Sequence, residues 1–224
     1  MTTLRYLRRH PSAGLLVVQL FGILLYPWME TAPRGRAVLG AFGLLVLGVA
    51  LWVVRRGPWL NWVASVFALP VVVLAVAQVI APRLELIVAT AALEAIFYFY
   101  ATGSLIAYML QDTVATTDEL FAAGATFTLL AWAFAYTYVV CQAAFPGSFA
   151  APLDTIDSPA TRTWMQLLYL SVIVLSGVGL SDVVPATPMA RALVMLEAFA
   201  GVMYIALVVS RLIGLVTVAR RERA

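Results

Sequence analysis

Charge is scarce in this chain. Only 11% of its residues are Asp, Glu, Lys or Arg, where a soluble domain carries about a quarter. Lysine is missing altogether, so every basic residue is an arginine. With a single cysteine, Cys141, an intrachain disulfide and a cysteine metal cluster are both excluded. The single histidine, His10, lies in a basic N-terminal arm and reads as solvated. One His, one Cys and no His/Asp/Glu set at ligand spacing leave no nucleophile, metal set or acid–base pair, so no enzyme activity, catalytic residue or cofactor is expected. Basic residues are also missing between Arg83 and Arg162. The net charge is only +3. The arginines sit at the ends of apolar runs, where they orient a membrane protein rather than mark a nucleic-acid partner.

What the chain has instead is apolar length. Hydrophobic residues make up 63% of it, which places it in the membrane and leaves little room for a large extramembrane domain. The runs Ala13–Met29, Ala37–Val54, Trp59–Ile80, Leu84–Leu110, Leu120–Phe145 and Pro188 to about Val218 approach or exceed the ~20 helical residues that cross a bilayer. They predict an all-α integral membrane protein with six transmembrane helices. Arg5, Arg8 and Arg9 precede a run that spans rather than ending at a small-residue cleavage site, so no cleavable signal peptide is expected. Pro70 should kink the third span, and Trp59 and Trp62 suit an interface. With six spans, Arg5, Arg8, Arg9, Arg55, Arg56, Arg220, Arg221 and Arg223 fall on one side of the membrane. Arg34, Arg36, Arg83, Arg162 and Arg191 fall on the other. That bias puts both termini in the cytoplasm. Trp132, Phe134, Tyr136 and Tyr138 in the fifth span read as packing rather than a cofactor box.

One stretch does not fit a simple span. From Thr163 an apolar run of about a dozen residues is too short to cross. It ends at Ser176-Gly177-Val178-Gly179-Leu180-Ser181-Asp182, which is too rich in Gly and Ser for comfortable helix. A full-length apolar run follows from Pro188. A half-length helix, an irregular turn and a full helix describe a re-entrant loop, and irregular backbone at membrane depth is tolerated only where protein buries it or a wet cavity lies beside it. A plain loop, or small residues that let helices pack closely, is the alternative reading of the same string.

Tyr169 to Asp182 resembles the pore helix and selectivity filter of tetrameric potassium channels, whose filter usually reads TVGYGD. Pro185 to Ala198, Gly201 and Val209 to Leu215 resemble the inner helix of bacterial members. The likeness covers the chain well from Asp118 onward. It implies a homotetramer, with lipids and monovalent cations as its other partners and potassium as the permeant ion. On that frame residues 1–110 are a peripheral four-helix bundle, 111–119 a cytoplasmic linker, 120–218 the pore domain with an outer turret carrying Asp154 and Asp157, and 219–224 a basic tail. The inner (plasma) membrane is the implied location. The fourth span has the place of a voltage sensor. Each charge moved yields ~2.3 kcal/mol per 100 mV, yet that span holds no basic residue and Glu94 is the only charge in its interior, so a voltage sensor of the arginine-ladder type is not expected. Glu94 reads either as an ion- or proton-handling group or as a neutralised packing residue.

The resemblance implies that backbone carbonyls of Gly177, Val178, Gly179 and Leu180 replace a cation's water shell, as carbonyl rings do in potassium channels. Ser176, Ser181 and Asp182 complete the filter, with Asp182 as a negative ring at the mouth. Gly177 stands where the family has Thr, Leu180 where it has Tyr, and Ser181 where it has the second Gly. A filter wider or more mobile than the family's follows, with Ser181 strained if its position requires positive φ. Tyr169 and Glu197 are expected to support the filter, although Glu197 also reads as a buried carboxyl neutralised by a proton or a partner. Gly201 reads equally as a gating hinge and as a tight helix contact. Arg211 is expected to snorkel. The functional expectation is a passive cation channel conducting potassium. A non-selective channel and a non-conducting channel-derived protein are the alternatives, and a transporter with paired halves fits less well.

Overall fold

A computed structural model of the chain describes residues 10–31, 35–54, 61–80, 83–111, 117–151 and 161–221. The core of the expected linker, the turret with Asp154 and Asp157, Trp59, and the arginines at 5, 8, 9, 34, 55, 56 and 223 lie outside the described residues. Helices α1 (Pro11–Thr31), α2 (Gly35–Val54), α3 (Asn61–Ile80), α4 (Leu84–Gln111) and α5 (Thr117–Ala144) come first. Strand β1 (Phe149–Ala150), helix α6 (Trp164–Leu175), strand β2 (Val184–Pro185) and helix α7 (Pro188–Arg221) complete the chain. It divides into two units, Met1–Leu129 and Leu130–Ala224, with the division inside α5.

The helices form because their sequences are almost wholly apolar, and backbone groups without water must bond to one another. Leu84–Leu110, Asp118–Ala144 and Pro188–Arg211 are each long and apolar enough to cross a membrane. The protein is therefore an integral membrane protein built on helices. The first three helices run 21, 20 and 20 residues, about 30 Å at 1.5 Å per residue. Helix α3 continues through Pro70.

In the first unit α1 packs on α2, α3 packs on α4, and α2 touches both α3 and α4. Leu15, Val46, Ala50, Val71, Ala91, Phe97, Ala101 and Leu105 fill its interior. Small residues allow close approach: a Cβ added at Gly124 would lie 2.9 Å from the Leu16 side chain. Among the buried polar groups, Thr128 Oγ1 donates to Gln19 Oε1 at 2.7 Å. The buried Asp118 accepts the Ser12 N–H at 3.2 Å, the Ser12 hydroxyl at 2.9 Å and the Tyr108 hydroxyl at 3.3 Å, with His10 Nδ1 at 4.0 Å. One carboxylate thus sits at the first turns of both α1 and α5, where helix dipoles favour negative charge. Glu94 is half-buried midway along α4.

The second unit holds the rest of α5, the two short strands, α6 and α7. Among its described residues, the strand pairing is antiparallel and joins Phe149 with Pro185 and Ala150 with Val184. Nothing in the sequence pattern anticipates it. The pairing ties the exit of α5 to the chain just before α7.

Candidate functional site

The half-length helix α6 owes its length to a stop signal at each end. At the start, Thr163 is the N-cap of a reciprocal capping box: its side chain accepts the Gln166 N–H at 3.3 Å, and the Gln166 side chain accepts the Thr163 N–H at 2.9 Å. This satisfies two of the donors that a helix start leaves open. The preceding residue is clamped by Gln142 of α5, whose amide bonds both the N–H and the carbonyl of the buried Arg162 at 3.0 Å. Trp164 meets Trp132 edge-on at 5.1 Å and Tyr136 at 5.5 Å, so those two members of the aromatic stripe do pack. Twelve residues give a helix of about 18 Å, against a hydrocarbon core of ~30 Å.

At the other end the chain turns through a Schellman cap. Gly177 N–H bonds Val174 O at 3.0 Å and Val178 N–H bonds Ile173 O at 3.2 Å. Gly177 takes the left-handed conformation at φ +74°, as the residue after a helix C-cap does in this motif. Gly179 is left-handed as well, at φ +71°. No non-glycine residue described has positive φ, so the sign alternates from Ser176 (φ −75°) through Leu180. An extended strand at constant sign points successive carbonyls to opposite sides. Alternation of sign is what allows them to share one. Ser181 therefore carries none of the strain expected of it.

The segment Ser176–Leu180 is exposed, with Leu180 76% accessible. Among the described residues the carbonyl oxygens of Gly177, Val178 and Gly179 accept no hydrogen bond. The Leu180 carbonyl accepts the Tyr169 hydroxyl at 3.3 Å. That contact is long for an O–H donor, and it sets Leu180 apart from the other three carbonyls expected to face an ion. Ser181 accepts the Val183 N–H at 3.1 Å, Val183 is buried, and Asp182 between them is exposed. Beyond it, Ala186 N–H bonds Ser148 O at 2.8 Å and the Ser148 and Thr187 hydroxyls lie 3.1 Å apart. Thr187 then caps α7 by accepting the Ala190 N–H at 3.3 Å, with Pro188 at the first helical position, where it needs no donor.

Behind α6, Glu197 of α7 is completely buried. Its two carboxyl oxygens meet the Tyr138 hydroxyl from α5 and the Ser171 hydroxyl from α6. Ser171 Oγ also reaches Ala131 O at 2.9 Å. A single node therefore joins the outer, half-length and inner helices of this unit. Tyr138 belongs to the aromatic stripe but takes a polar part in it. Gly201 faces the last residue of α6: an added Cβ would lie 2.8 Å from Leu175 Cα and 2.9 Å from its carbonyl carbon. Helix α7 runs unbroken through this glycine, and its packing on α6 is evident. The sequence reading missed Ser171, Gln142 and the Thr163–Gln166 box. A capping-box spacing of Thr-x-x-Gln ahead of an apolar run was the available signal for the last.

A family profile described as an ion channel matches residues 124–218. That segment is similar to ion channels. It takes in most of α5, the strands, α6, the glycine turn and nearly all of α7. Comparison with curated proteins and with solved structures gives no match. A likeness to ion channels points away from enzymatic work.

Proposed function

We propose that the chain is a passive cation channel that conducts potassium, assembled as a homotetramer around the loop Ser176–Asp182. One observation carries the reading: a 12-residue helix closed at both ends delivers an exposed Gly-Val-Gly segment whose carbonyls accept no hydrogen bond. A cation leaving water needs oxygens in place of its hydration shell. One chain supplies only one loop, so symmetry-related copies complete the ring. Asp182 adds negative charge at the mouth, and the C-terminal end of the α6 dipole favours a cation below it. The outer bundle contributes the remaining spans to a count of six, both termini lie in the cytoplasm, and the inner membrane is the site of action. Between Arg83 and Arg162 no basic residue occurs, so opening does not depend on an arginine ladder.

A weakly selective cation pathway is the second reading, and the Leu180 contact favours it. With the Leu180 carbonyl turned toward Tyr169, fewer oxygen rings are fixed than in a TVGYGD filter. Reversal potentials of the reconstituted protein in mixed potassium and sodium separate the two. A potential following the potassium gradient supports the first, and one near zero supports the second. No monovalent cation flux, or a monomer by cross-linking in the bilayer, would sink both.

A further inference from the structure

Hydrogen atoms can be counted in the node behind α6. Tyr138 and Ser171 own one hydroxyl hydrogen each, and both oxygens contact Glu197. Ser171 Oγ additionally lies 2.9 Å from the Ala131 carbonyl, which can only accept. If Glu197 were ionised, two hydrogens would have to fill three contacts, and one pair of acceptors would face each other bare. With the acid neutral every contact is filled. Tyr138 donates to Oε2, Ser171 donates to Ala131 O, and the Glu197 carboxyl donates to Ser171 Oγ. The surroundings agree, because Glu197 has no accessible surface and among the described residues no basic side chain pairs with it. A buried charge without a partner is costly.

We infer that Glu197 is held as the neutral acid and that removing its proton releases α6 from either the outer or the inner helix, so that support of the glycine turn depends on protonation. The charged form keeps the carboxylate buried and takes away the hydrogen that bonds it to Ser171. Ser171 must then abandon either Ala131 or Glu197, and α6 loses one of its two anchors. Leu175, the last residue of α6, already packs directly on Gly201, so a shift of α6 moves the start of the Gly-Val-Gly segment. The other titratable groups near the node are few. Helix α5 brings Tyr138 and Cys141. Helix α6 brings only Tyr169, bonded to Leu180. Helix α7 carries Arg191, bonded to the Pro185 carbonyl, together with Tyr204 and Arg211. The inference concerns the regulation of the pore proposed above and rests on that reading only for its effect on conduction.

The test uses full-length protein in lipid, with Glu197→Gln as the variant. Its amide oxygen accepts from Tyr138 and its N–H₂ donates to Ser171, reproducing the neutral pattern. Infrared spectra of wild type at neutral pH should contain a protonated-carboxyl C=O band that is lost in E197Q and retained in Tyr138→Phe. Amide exchange protection over residues 171–179, corrected for intrinsic rates, should fall about tenfold in wild type as pH is raised, the size of one buried hydrogen bond. It should stay flat in E197Q. A spectrum lacking the band, or protection falling equally in both proteins, overturns the inference. Potassium flux into liposomes adds a separate arm. Alkaline loss in wild type but not in E197Q is expected, and a pH-independent wild-type flux overturns the link to conduction. Absence of flux at every pH, with band and protection as expected, defeats the channel reading and leaves the protonated node standing.

Discussion

Replacing Gly201 by alanine separates a packing glycine from a hinge. The added Cβ would sit 2.8 Å from Leu175 Cα and 2.9 Å from its carbonyl carbon. Relaxed carbon–carbon contacts lie at ≈ 3.5–4.0 Å, so α6 and α7 must part by roughly 1 Å at this level. The obstacle is backbone, so no side chain can rotate out of the way. Overpacking of this kind costs about 1–3 kcal/mol. For a unit of this size that lowers the unfolding midpoint by about 4–8 °C per kcal/mol. The displaced residue ends α6, so the glycine turn moves with it and conduction should fall too. Thermal unfolding of the purified protein, read beside cation flux in liposomes, measures both effects. If G201A unfolds at the wild-type temperature, the packing argument is wrong. If stability is kept while opening is altered, the glycine serves as a hinge.

The remaining predictions concern the ends of α6 and the base of the first unit. Thr163→Ala removes half of the capping box and should destabilise the half-length helix by about 1 kcal/mol; Thr163→Ser should restore it, and equal midpoints for all three proteins would refute the assignment. Replacing Leu180-Ser181 by Tyr-Gly should raise the potassium-to-sodium permeability ratio, measured by reversal potential. An unchanged ratio counts against the role given to this turn. Asp118→Ala removes the acceptor that the Ser12 N–H and the Ser12 and Tyr108 hydroxyls share. It should cost about 1–3 kcal/mol in thermal unfolding, with Asp118→Asn recovering part of the loss.

Much of the second unit was legible in the chain because its signals are local. A dozen apolar residues between Thr163 and a Gly-x-Gly string can only be a short helix with an abrupt end, and Pro188 opens the long helix where an N-terminal proline is at home. Positive φ at Gly177 and Gly179 is what glycine permits. The strain expected at Ser181 was inferred from the family's pattern, and the chain avoids it by keeping that residue at negative φ. The node of Tyr138, Ser171 and Glu197 was only half legible. A lone carboxyl in an apolar helix demands a partner, but the partners lie 59 and 26 residues away, and no periodicity encodes that pairing. The strand pairing of Phe149 and Ala150 with Pro185 and Val184 is too short for any alternation to register. Its position depends on where α5 and α7 place their ends.

Asp118 has a consequence for how the polypeptide threads its membrane. Ser12 opens α1, Tyr108 lies in the last turn of α4, and Asp118 belongs to the first turn of α5, yet all three meet at one carboxylate. The beginning of the chain's first helix, the end of its fourth and the beginning of its fifth therefore share a leaflet. Parity follows. Whatever route α1 through α4 take, they make an even number of passages, and α5 sets out from the side on which α1 began.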